Sequence, residues 1–445
     1  MLELLLIILF SALGVCIGLV TGLLPGLHIN NISLAVLSFS TAILALLTSL
    51  INTFSESFLL LLLCGLIISI ALSHSFFSAI PSTFLGVPDE ETALSVLPAH
   101  RMLLDGYGYR AVVLTAIGSI GAVIICFFLL YPVKMILAAP IFLYETLRDN
   151  MVWLLIAIVA IMIATEKKQI RVGKINGMSA SFLGMGFAVF VFLLSGLFGA
   201  IILNLPVHSP VGFQASVLFP ALAGLFGMPP LLSSLATKPT LPPQDIKPIT
   251  LTYSTKRSSI FSVLTGSLSG IFVSILPGIT SAVGTVLALT IRKNTDQEQT
   301  LLTLSAVNTA CAFSTVVMLF VLLRARSGVM LAVNDLIVVE PWDDVFIPEA
   351  LCYLLIFLIF AGCVSFFITL YVGKIFAQNF HKLPYRFILL GAIVFLIVLV
   401  VLFTGLLGVL ILITASLIGL IPLGWGVRRS HCMGVLLVPI IIYFL

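Results

Sequence analysis

Charge is what this sequence has least of. Asp, Glu, Lys and Arg make up 9% of its 445 residues, whereas 61% are hydrophobic. A water-soluble domain carries about 25% charged residues, so a soluble enzyme or a soluble binding module is excluded. No lysine or arginine precedes Arg101, and a cleavable signal peptide, which needs a positive n-region, is not expected. Cysteines are few: Cys16, Cys64, Cys126, Cys311, Cys352, Cys363 and Cys432 all lie in apolar stretches without C-x-x-C spacing. That argues against a disulfide framework or a zinc site. No H-E-x-x-H, no G-x-S-x-G elbow and no paired membrane-embedded aspartates occur, so catalysis and a catalytic cofactor are not expected. No basic patch points to nucleic acid.

What the chain has instead is a series of apolar runs of roughly 20 residues, the length a bilayer core of about 30 Å requires. It reads as an all-α polytopic protein of the cell membrane. Spans are expected near 58–80, 111–131, 150–165, 178–204 and 213–235, then near 301–323, 346–373, 387–404, 409–427 and 430–445. The longest polar stretch, Thr237–Arg257, is proline-rich and carries Lys238, Lys247, Lys256 and Arg257. It reads as a cytoplasmic linker (237–257) between a first half, 1–236, and a second, 258–445.

The halves repeat each other. GVCIGLVTGLLPGLH at 14–28 matches GSLSGIFVSILPGIT at 266–280, aligning Gly14, Gly18, Pro25 and Gly26 with Gly266, Gly270, Pro277 and Gly278. Loop charges give the relative orientation, because lysine and arginine collect on the cytoplasmic side. Ile51–Ser57 has no base, yet its counterpart opens with Arg292 and Lys293; Arg101 and Arg110 face a counterpart holding Asp335, Glu340, Asp343 and Asp344. The bias changes sign along the halves, which implies inverted topology with both termini outside. Each half opens with a broken segment, 4–50 or 258–291, followed by five spans. The arm after Pro277 has about 14 residues, short for a crossing at about 1.5 Å per residue, which favours a hairpin.

A proline inside hydrocarbon frees backbone groups that survive only within protein or beside a watery cavity. Paired breaks in inverted halves therefore mark a transporter's binding site, and half-helix N-termini suit anions. The residues at the breaks are the candidate contacts: Gly26, His28, Asn30 and Asn31 in the first half, Gly278, Thr280 and Ser281 in the second. His28 also suits a histidine bonded to a neighbouring helix, and Ser281 a packing role. A second polar element follows in each half. Asp89, Glu90 and Glu91 come after Pro88, and Asn308, Thr309, Arg324 and Arg326 fall in the corresponding region. The alternative is that these charges are solvated loop ends. If they lie at membrane depth, the arginines bind substrate carboxylates and a carboxylate carries the coupling proton or helps bind sodium.

The segments GLVTGLLPGLHINN, FLGVPDEETA, GLFGMPPLLSSL and SGIFVSILPGI resemble, in order and spacing over nearly the whole chain, the large membrane subunit of the tripartite tricarboxylate transporters. That resemblance implies a permease for citrate-like organic acids, driven by an ion gradient, with a small membrane subunit and a periplasmic solute-binding protein as partners. It sets Val307-Asn308-Thr309-Ala310 against the family's Ala-Asn-Asn-Ala. The family's Gly-Ile-Pro-Gly stands here as Gly86-Val87-Pro88-Asp89, and its second copy is replaced by a stretch containing Arg324-Ala325-Arg326. These departures fall where specificity is expected and suggest a stand-alone, archaeal offshoot. The leading reading is ion-coupled transport of a small organic anion, with a proton or Na+ as coupling ion. The alternative is translocation of a lipid-linked anion such as a polyprenyl phosphate. Dimers are common among such folds, but the sequence marks no interface for a homodimer.

Overall fold

In hydrocarbon a chain satisfies its backbone only as helices or closed barrels, and helices are what this sequence forms. A computed structural model describes residues 2–24, 29–50, 54–85, 96–166, 178–210, 217–237, 242–247, 253–276, 281–292, 296–379, 382 and 385–445. No strand occurs among the described residues. The first half runs through α1 (Leu2–Leu23), α2 (Ile29–Ser38), α3 (Ser40–Leu50), α4 (Glu56–Phe77) and its short continuation α5 (Ala79–Phe84). It goes on through α6 (Val96–Leu104), α7 (Gly108–Phe128), α8 (Leu130–Leu137), α9 (Leu143–Asp149), α10 (Met151–Ala164) and α11 (Met178–Ile202). It closes with α12 (Leu218–Leu222), a π-helical turn at Ala223–Gly227 and α13 (Met228–Thr237). The second half comprises α14 (Tyr253–Ile275), α15 (Ser281–Ile291), α16 (Gln297–Leu322), α17 (Gly328–Leu336), α18 (Glu349–Asn379), α19 (Tyr385–Trp425) and α20 (Gly434–Phe444), the last after a 3₁₀ turn at Arg429–Met433. Nine helical stretches among the described residues are long and apolar enough to cross a membrane. The protein is a multi-pass membrane protein.

Local chemistry sets where the two central helices start. Ser55 accepts the Phe58 amide at 3.3 Å to cap α4, and Asp296 accepts the Gln299 amide at 2.7 Å to cap α16. A side-chain oxygen there replaces a carbonyl the helix cannot supply, worth about 1 kcal/mol.

The aligned glycines make equivalent contacts. A Cβ on Gly14 would meet Ser69 Cβ at 2.6 Å, with Leu66 O and Ile70 N next; on Gly266 it would meet Thr303 O at 2.6 Å, with Ala306 Cβ and Val307 N next. One turn on, Gly18 faces Ile70 O and Ser73 Cβ, and Gly270 faces Val307 O and Ala310 Cβ. So α1 lies on α4 as α14 lies on α16, backbone to backbone, at a closeness no side chain permits. The halves then cross over: Gly65 of α4 packs under the Phe357 ring of α18, and Gly118 of α7 packs on Leu302 of α16.

The break after α14 makes a hairpin. Helix α15 has 11 residues, about 16 Å at 1.5 Å per residue, half of what a crossing needs. Ser269 of α14 donates to Gly284 O at 2.6 Å, and Arg292, just past α15, donates to Ser258 O at 2.9 Å. The two arms therefore end side by side. The first arms are longer: α14, with 23 residues, and α1, with 22, are each long enough to cross.

The last expected spans can be compared with the helices directly. The expected runs 387–404 and 409–427 are the two arms of α19, separated at the non-helical Gly405 (φ 65°, ψ −161°). Leu396 and Val400 before that glycine share an apolar cluster with Leu412 after it, so the arms fold together. The expected span 430–445 is the 3₁₀ turn plus the 11 residues of α20, and proves too short to cross unaided.

The buried apolar residues fall into two main clusters. The larger takes in α1, α4, α7, α16, α17 and α18. The other joins α10, α11, α12, the second arm of α19 and α20 with Val273, Leu276 and Val283 of the second hairpin.

Candidate functional site

Helix α16 carries buried polar residues at mid-length: Thr303, Ser305, Asn308 and Thr309. A buried polar atom is costly unless it is bonded. Thr303 and Ser305 bond back to Gln299 O at 2.9 Å and Leu301 O at 3.0 Å. Asn308 Oδ1 and Thr309 Oγ1 have no hydrogen-bond partner among the described residues.

Asn308 lines a cavity of ≈ 20 Å³ between α16 and the α4–α7 region, room for about one water. Ser75, Ser82, Thr83, Thr115 and Ser305 also line it. Ser75 donates to Leu72 O at 2.7 Å, Ser82 to Ser78 O at 2.8 Å and Thr115 to Ala111 O at 2.9 Å. Each of these hydroxyls has its proton engaged on its own helix, so lone pairs are what it has left to offer. The lining is mostly apolar, with these few hydroxyl lone pairs and the Asn308 amide as its polar groups.

The remaining candidates are distributed around this point. Gly26 and His28, Gly278 and Thr280, and the trio Asp89, Glu90 and Glu91 lie outside the described residues. Asn30 and Asn31 fall in the first turn of α2, and Ser281 opens α15 with its side chain buried. The two arginines between α16 and α17 part company. Arg326 folds back so that Nη1 lies 3.7 Å from the Sγ of Cys311, one turn beyond Asn308 on α16. Arg324 is exposed, with its guanidinium 5.8 Å from the ring centre of Tyr144 in α9. Arg326 thus lies alongside the middle of α16, whereas Arg324 does not.

Three further features were not singled out from the sequence. His74 occupies on α4 the place Cys311 holds on α16, and its Nδ1 lies 3.2 Å from Thr21 Oγ1, four residues before Pro25. His100 of α6 has Nδ1 3.4 Å from Thr83 O, beside the cavity. Burial pushes its imidazole pKa down from the ordinary value, with the Thr83 carbonyl opposing. A histidine inside an apolar run is the only signal either left in the sequence.

The third feature lies elsewhere, where α10 ends near the α19–α20 turn. Glu166 and His431 are both buried, and His431 Nε2 lies 2.6 Å from Glu166 Oε2. Arg428 Nε reaches the same oxygen at 3.0 Å and its Nη2 donates to Thr165 O. Burial raises the Glu166 carboxyl pKa, but the His431 hydrogen bond and the Arg428 charge more than offset it, leaving the carboxyl below its ordinary value.

A family model described as the tripartite tricarboxylate transporter TctA family matches residues 8–434. The chain belongs to this family. TctA proteins are membrane transporters of tricarboxylates and other organic anions rather than enzymes, and they work with a small membrane subunit and a solute-binding protein. Over 453 aligned residues the chain is 28% identical to the uncharacterized protein MJ1079 of Methanocaldococcus jannaschii, covering 98% of this chain and 99% of that one. No solved structure matches the chain.

Proposed function

We propose that this TctA-family protein is a secondary active transporter that carries a small organic carboxylate through the centre of the bundle, coupled to a proton or sodium gradient. The observation that carries the reading is Asn308: a carbonyl left without a partner, beside a water-sized cavity, in the middle of a membrane helix. Such a group costs about 1–3 kcal/mol, a cost more readily understood when a ligand relieves it. The unpaired carbonyl itself suits the coupling cation or a substrate hydroxyl. The half-helix starts at the two breaks, with Gly26, His28, Asn30 and Asn31 on one side and Gly278, Thr280 and Ser281 on the other, suit the carboxylates. Arg326 supplies a fixed positive charge nearby. The stretch holding Asp89, Glu90 and Glu91 joins α5 to α6, both of which line the cavity, and these acids are the candidate carriers of the coupling ion.

The inverted-repeat reading, divided at 237–257, is supported by how the ends of the helices meet. Arg110 pairs with Glu298 at 2.7 Å, and Gln244 of the linker donates to Leu103 O at 3.1 Å. These join loops that the charge pattern assigns to the cytoplasm. Lys134 donates to Asp343 O at 3.0 Å, and the Tyr131 and Trp342 rings stack edge-on at 5.2 Å. These join loops it assigns outside. With α4 starting near Tyr353, through the Phe58 ring, and α16 starting near Arg110, the two equivalent helices run in opposite directions.

The test is uptake of labelled di- and tricarboxylates into proteoliposomes holding this protein alone, with and without sodium and proton gradients. Gradient-driven uptake that is lost in Asn308→Ala is expected. Uptake indifferent to both gradients would refute the coupling. No uptake until a small membrane subunit and a solute-binding protein are added would refute stand-alone action.

A further inference from the structure

Among groups the central site does not use, the Glu166–His431 pair is the most constrained. Glu166 follows α10, and His431 lies in the 3₁₀ turn between α19 and α20, 265 residues away. The carboxylate thus ties three helices together through one oxygen. Ser195 of α11 donates to the His431 carbonyl at 3.2 Å, and the same 3₁₀ turn packs against α15, the second arm of the broken hairpin.

The imidazole is only half engaged. His431 is 0% exposed, and its Nδ1 has no hydrogen-bond partner among the described residues. With Nε2–H donating to Glu166, Nδ1 carries a lone pair, a buried position that can take one proton. The surrounding charges are limited in number. Arg428 and Arg429 stand beside the pair, Arg429 donating to Phe226 O at 3.3 Å, and the Cys432 thiol follows. Helices α11, α15 and α20 bring no Asp, Glu, Lys or Arg to it. Lys167, Lys168, Arg171 and Lys174 come next in the chain, outside the described residues.

We propose that His431, held by Glu166 and Arg428, is a proton-binding site through which pH controls the fastening of α10 to the α19–α20 turn. The proton adds to Nδ1 from solvent, and no other bond forms or breaks. The Arg428 guanidinium then shares one buried carboxylate with an imidazolium. The two positive groups now compete for one carboxylate and repel each other, and Arg428, which water already reaches, loosens its hold on Thr165 and Glu166. The turn it anchors begins beside Trp425, which is stacked 4.4 Å from Phe187 and 5.5 Å from Phe190. Movement there is passed to α15 and so to the second hairpin. That last link rests on the transport reading; the proton site does not.

The protein supplies its own reporter. In the purified full-length protein, tryptophan emission followed from pH 5 to 8 is expected to show a one-proton transition, absent in Trp425→Phe. In His431→Gln, whose amide still donates to Glu166 but cannot take a proton, the transition is expected to vanish. In Glu166→Gln, where the imidazolium has lost its counter-charge, it is expected at lower pH. A wild-type signal that is flat over this range, or one unchanged in His431→Gln, overturns the site. If the transition behaves as expected while no carboxylate uptake is found under any gradient, the transport reading fails and the proton site stands.

Discussion

Asn308→Ala should remove function without removing stability. In the substrate-free protein, Asn308 Oδ1 is buried and unbonded, a state that costs about 1–3 kcal/mol. Truncation to alanine abolishes that cost. It also forfeits the contacts of three side-chain atoms, each pair worth about 0.1–0.2 kcal/mol. The side chain borders a cavity already, so few such contacts are lost on that side. The balance is a protein unchanged or more stable by up to ~2 kcal/mol. Thr309→Val, nearly isosteric, should act in the same direction, since Thr309 Oγ1 is also unbonded. Thermal unfolding of detergent-solubilised protein, without added carboxylate and in buffers with and without sodium, reads the stability; proteoliposome uptake reads the function. Melting temperatures held or raised together with lost uptake are the expected pair. A drop equivalent to more than ~1 kcal/mol for Asn308→Ala would show that the carbonyl is bonded in the resting protein, and would remove the argument for a ligand there.

The glycine seams should be intolerant in both halves alike: Gly18→Val and Gly270→Val collide with α4 and α16 and should each cost at least ~1–3 kcal/mol, while Gly186→Ala, which meets nothing within 4 Å, should melt as the wild type. Glu166→Ala leaves His431 and Arg428 without their carboxylate and should cost up to about 3–5 kcal/mol, less in so far as the partly exposed Arg428 is rehydrated; equal melting of mutant and wild type would contradict it. Because the Glu166 pKa is held down in the folded protein, its stabilisation is present at neutral pH and lost as pH falls through and below the ordinary carboxylate range. The wild type should therefore lose its melting advantage over Glu166→Gln in acid. Arg110→Ala breaks a partly exposed pair with Glu298 (34% and 25% exposed) and should cost only about 0–1 kcal/mol, measurable in the same melts.

The sequence alone determined the membrane class, the all-helical build and the places where the helices break. These depend on features a few residues wide: an apolar run, a capping Ser55 or Asp296, a Pro-Gly that removes a donor. Helices α1 and α14 end at Leu23 and Ile275, just before Pro25 and Pro277. The glycine alignment was equally legible, because a residue without a side chain leaves a mark in any alignment. Tertiary structure decided the rest. Asn308 stood out in the sequence, but that its carbonyl is unpaired follows from what α4 to α7 place around it. Arg324 and Arg326 look alike two residues apart; only the path of the chain after α16 turns one back along the helix and the other toward Tyr144. In the sequence Glu166 directly follows one expected span, 150–165, and His431 falls inside another, 430–445. Their pairing across 265 residues has no period or spacing to reveal it, because it arises from how separate helices pack and not from the order of residues within any one of them.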